Sequence, residues 1–165
     1  MTERDHQDSR WAAPSIVHHH EWTSYAAARL VGAGSSALRD ALRDAHPALT
    51  VTLADDPTAA ATGGADVIVA TWLLERLTDE TAVAMLRKLG GARVPVLLAE
   101  RVTETGDEVH DHDAELDLRL RVAYGSGLRT PAGIEALARA AGLTPGEPRE
   151  LGWDMRLWNL GPSQG

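Results

Sequence analysis

The sequence predicts an α/β domain, an open and mostly parallel sheet with helices on both faces, from three observations. Short apolar runs alternate with segments of helical periodicity. The runs at 65–70 and 94–99 are apolar almost throughout, as strands buried on both faces are. A glycine-rich turn joins the first run to the first clearly periodic segment. The 165 residues suffice for one core and leave little room for a second. A single domain is therefore expected over residues 12–165, behind a polar, flexible N-terminal tail at 1–11.

Residues 12–28 carry apolar positions at mixed spacing around His18, His19, His20, Glu21 and Trp22, and predict one or two helical turns. Arg29-Leu30-Val31 is then a strand and Gly32-Ala33-Gly34-Ser35-Ser36 a tight turn; residues 37–45 form a helix with Leu38 and Leu42 on one face. His46-Pro47 stops that helix, because the residue before a proline is pushed out of the helical region. Thr50-Val51-Thr52-Leu53 is a second strand, ending at Asp55-Asp56-Pro57, and the small residues at 58–64 are expected as a loop before a third strand at 65–70. Thr78 caps the next helix, with Asp79 and Glu80 at the positive end of its dipole and Ala82, Met85 and Leu86 as its apolar stripe; Gly90-Gly91 ends it. A strand at 94–99, a charged loop at 101–113, a helix at 114–124 and a helix from Thr130-Pro131 to Ala141-Gly142 follow. Two short strands within 150–160 close the sheet.

Composition narrows the function. A net charge of −8 with no basic stripe argues against nucleic acid, since a polyanion is held by a basic surface. With no cysteine there is no disulfide, thiolate metal site or cysteine nucleophile. No apolar run approaches the roughly 20 residues that span a bilayer, and the N-terminus lacks a signal peptide's order, so a cytoplasmic protein away from membranes is expected. The abundance of Ala, Arg, Gly and Leu, with Lys88 the single lysine and no Phe, is the habit of high-GC, actinobacterial coding.

The turn and the second strand carry the first candidate site. Gly32 and Gly34 let the backbone approach a ligand at a helix N-terminus, and Asp55, 23 positions after Gly32, ends the second strand where an acid grips a ribose hydroxyl. The alternative is a tight turn that serves only the fold. From Leu30 to about Leu143 the chain resembles the catalytic half of plant- and actinomycete-type S-adenosylmethionine-dependent O-methyltransferases. Their DVGGGTG motif is met by Leu30-Val31-Gly32-Ala33-Gly34-Ser35-Ser36, their His-Pro by His46-Pro47, and their Asp-Leu-Pro by Asp55-Asp56-Pro57. Their Gly-Ala-Asp is met by Gly64-Ala65-Asp66, and their LHDWPDE by Leu74-Glu75-Arg76-Leu77-Thr78-Asp79-Glu80. Their Glu-Arg strand end is met by Leu98-Ala99-Glu100-Arg101, and their Gly-x-x-Arg-Thr by Gly127-Leu128-Arg129-Thr130.

The resemblance implies a Rossmann-like, class I methyltransferase-like fold, here reduced by deletion. It also implies S-adenosylmethionine as cofactor if methyl transfer is retained, with Gly32, Gly34 and Asp55 holding it. The departures imply the reverse. Leu30 stands where the family has an acid for the cofactor's amino-acid end, Ser36 replaces a glycine, and the helix, strand and acid of the adenine wall have no counterpart between Asp55 and Gly64. Glu75 stands where the family has its catalytic histidine, and the N-terminal helical domain is reduced to the residues ahead of Leu30. No cofactor is therefore expected. An ordinary Glu is a poor match for a hydroxyl proton, as a base works best near the operating pH.

The remaining candidates are His18, His19 and His20, of which one near the ligand's mouth is an acid or base. Three consecutive residues cannot converge on one ion, so no metal site is expected there. His110-Asp111-His112-Asp113 reads as a charged loop, with a two-histidine site as its alternative. Trp72 and Trp22 are candidate surfaces for a flat substrate among five tryptophans. The leading expectation is a repurposed methyltransferase-like enzyme of natural-product biosynthesis. It would use Glu75 and one histidine for cyclisation, dehydration or isomerisation of a small aromatic or polyketide-like substrate. The rivals are a minimal active methyltransferase and a non-catalytic partner of a tailoring enzyme. Apolar surface left without its helical domain predicts a homodimer or a heteromer with a pathway enzyme.

Overall fold

The computed structural model describes residues 3–103 and 111–162. The chain runs α1 (Glu3–His18), β1 (Ala27–Gly32), α2 (Ser35–Ala45), β2 (Thr50–Leu53), α3 (Pro57–Thr62), β3 (Val67–Thr71) and α4 (Asp79–Gly90), then β4 (Val96–Arg101), α5 (Asp111–Tyr124), α6 (Pro131–Ala140), β5 (Leu143–Pro145), β6 (Arg149–Gly152) and β7 (Met155–Pro162). The seven strands form one sheet in the order β2-β1-β3-β4-β7-β5, with β6 pairing β7. The pairs β1–β2, β1–β3 and β3–β4 are parallel, whereas β7 runs antiparallel to β4, β5 and β6.

Both faces of the sheet are covered, which is why the interior strands are apolar on alternate and intervening positions alike. On one face Ile68, Ala70, Val96 and Leu98 meet Leu86 and Leu89 of α4 and Ile134 and Ala138 of α6. On the other, Leu30, Val69, Leu97 and Ala99 meet Ile16 of α1 and Leu38 and Leu42 of α2. Each fully buried leucine contributes about 1.5–3 kcal/mol relative to exposure. Helix starts and stops follow local chemistry. Thr78 and Thr130 accept the amides of Thr81 and Gly133, and the His46 amide closes α2 on Leu42 O.

Three elements differ from the sequence expectations. Helix α1 is longer than one or two turns: it takes in residues 3–11, assigned above to a tail, and runs through Pro14. The Pro14 ring is exposed while Ala12, Ala13 and Ile16 face the core, and Ser15 Oγ donates to Leu151 O at 2.8 Å. Tertiary packing of one face decides such a helix more than composition does. The small-residue loop folds as α3, because Asp56 accepts the Ala59 amide at 2.9 Å and Pro57 supplies a first-turn φ. Three strands, not two, close the sheet. No helix among the described residues is long and apolar enough to cross a membrane.

Candidate active site

Strands β1 and β2 pair Leu30 with Leu53, so the glycine turn and Asp55 leave the sheet at one edge, the carboxyl ends of the parallel strands. There the turn is fixed by the protein itself. Gly32 has φ +103°, and a Cβ on it would lie 2.1 Å from Thr71 O, so only glycine lets β1 lie against β3 at this point. Thr71 Oγ1 donates to Ala33 O, and Ser35 Oγ donates to Gly32 O at 2.8 Å. Gly34, at φ +77°, is the residue from which α2 starts. Leu30 is enclosed in the core, Ser36 is exposed, and Asp55 stands exposed beyond β2, which is the sheet's outer strand among the described residues.

The same edge carries the bend between β3 and α4. Trp72 takes φ +44°, uncommon for a bulky residue, and its amide donates to Ala99 O at 3.0 Å. Behind it lies Glu100, enclosed at the end of β4, whose Oε1 accepts the amides of Leu73 at 2.6 Å and Leu74 at 2.9 Å. Arg129 braces the bend from the other side. Its guanidinium donates to Leu74 O at 2.7 Å, to Leu77 O at 2.5 Å and to Asp79 Oδ1 at 2.9–3.0 Å. Ser126 Oγ donates to Glu75 O at 2.7 Å. Glu75, its side chain 10% exposed, sits at the centre of this framework with Arg76 Nε 3.7 Å from its carboxylate.

Burial pushes the Glu100 carboxyl up to about 8. The Leu74 amide opposes that shift, the Glu75 charge adds to it, and the Leu73 amide and Arg129 oppose it more weakly. Sequence reasoning placed Glu100 at a strand end and gave it no role. A strand buried on both faces offers no alternation from which to see which charged residue turns inward.

His18, His19 and His20 do not join this site. His18 ends α1 and His19 and His20 follow it, before the chain enters β1 at Ala27, so the three lie at the amino edge of the parallel strands, about one strand length from Glu75. Six residues of β1 span roughly 20 Å at about 3.3 Å each. His19 Nδ1 lies 2.8 Å from Ser15 O, and Arg149 donates to the His19 carbonyl. The His20 ring stacks on Tyr25 at 5.7 Å, and burial, then the Arg149 charge, lowers its pKa against the pull of Glu21. The expectation of a histidine at the ligand's mouth is corrected by topology: a helix that precedes a parallel strand ends where that strand begins.

Trp22 is likewise corrected. It is 1% exposed, and its indole N–H donates to Val17 O at 3.0 Å, so it is a core residue and not a ligand surface. Trp72 keeps its place at the carboxyl edge, partly buried against the α1–α2 face. Trp11 and Trp153 are the exposed pair, 66% and 80% accessible with ring centroids 6.5 Å apart. Trp153 tops the β6–β7 hairpin beside the end of β4, where Asp154 O accepts the Val102 amide. No group of three or more His, Asp or Glu able to hold a metal occurs among the described residues. The sequence candidate at His110 falls outside them, and nothing is assigned to His112.

No family model matches the chain. Solved structures do. TnmH superposes with a TM-score of 0.85 at 24% identity, over 95% of this chain and 56% of its own. The mitomycin 7-O-methyltransferase MmcR gives 0.82 at 22% identity, over 94% and 54%. The neocarzinostatin-biosynthesis O-methyltransferase NcsB1, solved with S-adenosyl-L-homocysteine and 1,4-dihydroxy-2-naphthoic acid, gives 0.73 at 24% identity, over 89% and 52%. The chain has the methyltransferase-like Rossmann fold. It spans about half the length of the structures that it matches. In that methyltransferase-like frame the edge bearing Gly32, Asp55 and Glu75 is where open α/β sheets bind their ligands.

Proposed function

We propose that the chain is a natural-product tailoring domain that binds a small aromatic or polyketide-like molecule at the carboxyl edge and promotes acid–base chemistry on it. Cyclisation, dehydration or isomerisation fits this chemistry, without methyl transfer. The observation that carries the reading is the braced Glu75 beside Glu100, on an edge where the position of the cofactor-binding acid is a core leucine. Glu75 moves the proton, and Trp72, with the Trp11–Trp153 pair, offers ring surface. Gly32 and Gly34 shape the turn, and Asp55 stands at its mouth. No step is assigned to His18, His19 or His20. Calorimetric titration of the purified chain with S-adenosylmethionine is expected to give no saturable heat at micromolar concentration. Saturable binding there overturns the non-methylating reading.

A second reading is favoured by one observation: several proteins of this fold were solved with S-adenosylmethionine or its demethylated product. In it, Gly32, Gly34 and Asp55 suffice for the cofactor and the chain is a minimal methyltransferase. It predicts cofactor released on denaturing the purified protein, detected by mass spectrometry.

A further inference from the structure

The amino edge of the parallel strands, opposite Glu75, holds a cavity of its own. Strand register places its base. Leu97 of β4 pairs with Asn159 of β7, Arg149 of β6 pairs with Leu157, and Leu157 and Asn159 are two apart, so these four side chains share the sheet face that α1 and α2 cover. Along β7 that face presents Met155 and Leu157, both enclosed, and then Asn159, exposed. A strand packed beneath a helix calls for a third apolar residue, so the amide marks where packing stops and an opening begins.

The opening has a volume of about 490 Å³, within the range of small-molecule sites. Leu97 and Leu157 form an apolar base, and His20, Glu147, Arg149 and Asn159 line it. Its walls are tied down. The Gly146 amide donates to Asn159 O at 2.9 Å, which fixes the connection between β5 and β6, and Arg149 donates through Nη1 to the carbonyl of His19 just past α1.

The polar groups that remain complement an acid. Arg149 makes no ion pair among the described residues, so most of its planar fork is open to a carboxylate. The Asn159 carboxamide likewise has no hydrogen bond among the described residues and can donate beside it. The His20 ring, with Nε2 3.3 Å from Tyr25 Oη, is neutral near pH 7, because burial and then the Arg149 charge lower its pKa although Glu21 opposes them. Arg149 is therefore the cation of the lining, and the exposed Glu147 carboxylate is an acceptor for a second polar group of the ligand.

We propose that this amino-edge cavity is a second binding site, for a small carboxylic acid that carries an apolar body and a hydroxyl or amino group. Arg149 and Asn159 hold the carboxylate, Leu97 and Leu157 take the apolar body, and Glu147 accepts from the hydroxyl or amino group. The site is independent of the chemistry proposed for the carboxyl edge.

The test is an amide chemical-shift titration of the full chain by 15N NMR, with 4-hydroxybenzoate, L-leucine and 2-hydroxy-4-methylpentanoate as probes, each beside its own carboxamide. At least one acid is expected to give saturable shifts at millimolar concentration, centred on residues 19–20, 97, 146–149 and 157–159, with its carboxamide about tenfold weaker or more. No saturable shift there with any of the three overturns the site, as does a carboxamide that binds as well as its acid. Shifts confined to residues 72–77 belong to the carboxyl edge and overturn it too. Arg149→Gln is expected to weaken the best probe about tenfold or more, and Asn159→Leu, which continues the apolar series on β7, to abolish its shifts while the melting temperature is kept. Wild-type affinity in either variant overturns the site, and if Arg149→Gln does not fold, Asn159→Leu decides.

Discussion

A carboxyl group enclosed at the end of an interior strand penalises the folded state whenever it ionises. The folded Glu100 releases its proton near 8, against an ordinary value of 4.5. Between those limits the folded chain holds a proton that the unfolded chain has lost, so the Glu100 contribution falls as pH rises from about 4.5 to about 8 and is flat outside that window. Glu100→Gln removes this slope. Its unfolding free energy is expected to gain on wild type from about pH 5 to about pH 9, by an amount on the order of a few kcal/mol, with a matching rise in relative melting temperature. Thermal denaturation at the two pH values checks it, and a constant gap would contradict it. Gly32 gives a second prediction at this scale. With Thr71 O 2.1 Å from any added Cβ, Gly32→Ala is expected to lose about 2–4 kcal/mol in urea denaturation, cofactor absent. A neutral substitution would show that the turn can open.

Among the elements, the bend at 72–77 depends on one side chain from far along the sequence. Arg129 is largely buried, and its donors serve two carbonyls and the Asp79 carboxylate at the start of α4. Arg129→Ala is expected to cost about 2–4 kcal/mol in chemical denaturation, and Arg129→Lys to recover little, because an ammonium places its donors on one nitrogen whereas Nε, Nη1 and Nη2 of Arg129 each reach a different acceptor or edge of the bend. Full recovery by lysine would refute the brace. Local chemistry made the elements themselves legible where it was strong: Thr78 and Thr130-Pro131 as helix starts, His46-Pro47 as a stop, Thr50–Leu53 as a strand. Helix α1 was not, because the buried apolar residues described on it are the short set Ala12, Ala13 and Ile16, with Val17 partly buried, and its other support comes from α2 and β6. Helix α3 carried its signal in Asp56-Pro57, which also reads as a turn. Motif order located Glu75, but the inward direction of Glu100 depends on strand pairing that no local pattern contains.

For the whole molecule, strand and helix alternation was enough to give the architecture, whereas the assignment of residues to sheet edges required the path of the chain. That path separates the histidines from Glu75 and brings Trp153 to the carboxyl edge beside Trp11. Leu118 and Val122, 62% and 80% exposed, form a further apolar stripe one helical turn apart on α5. Surfaces of this kind are normally covered, so association is expected: sedimentation at high micromolar concentration should detect a species larger than the monomer, and Trp153→Ser should weaken it. A strictly monomeric wild type would contradict this.

Because a neighbouring carbonyl excludes any side chain at Gly32, the residue has a reason to persist that is unconnected with nucleosides. A search keyed to such glycines will flag this protein whether its cleft is occupied or idle. The signature certifies architecture, and claims about cargo must come from other atoms.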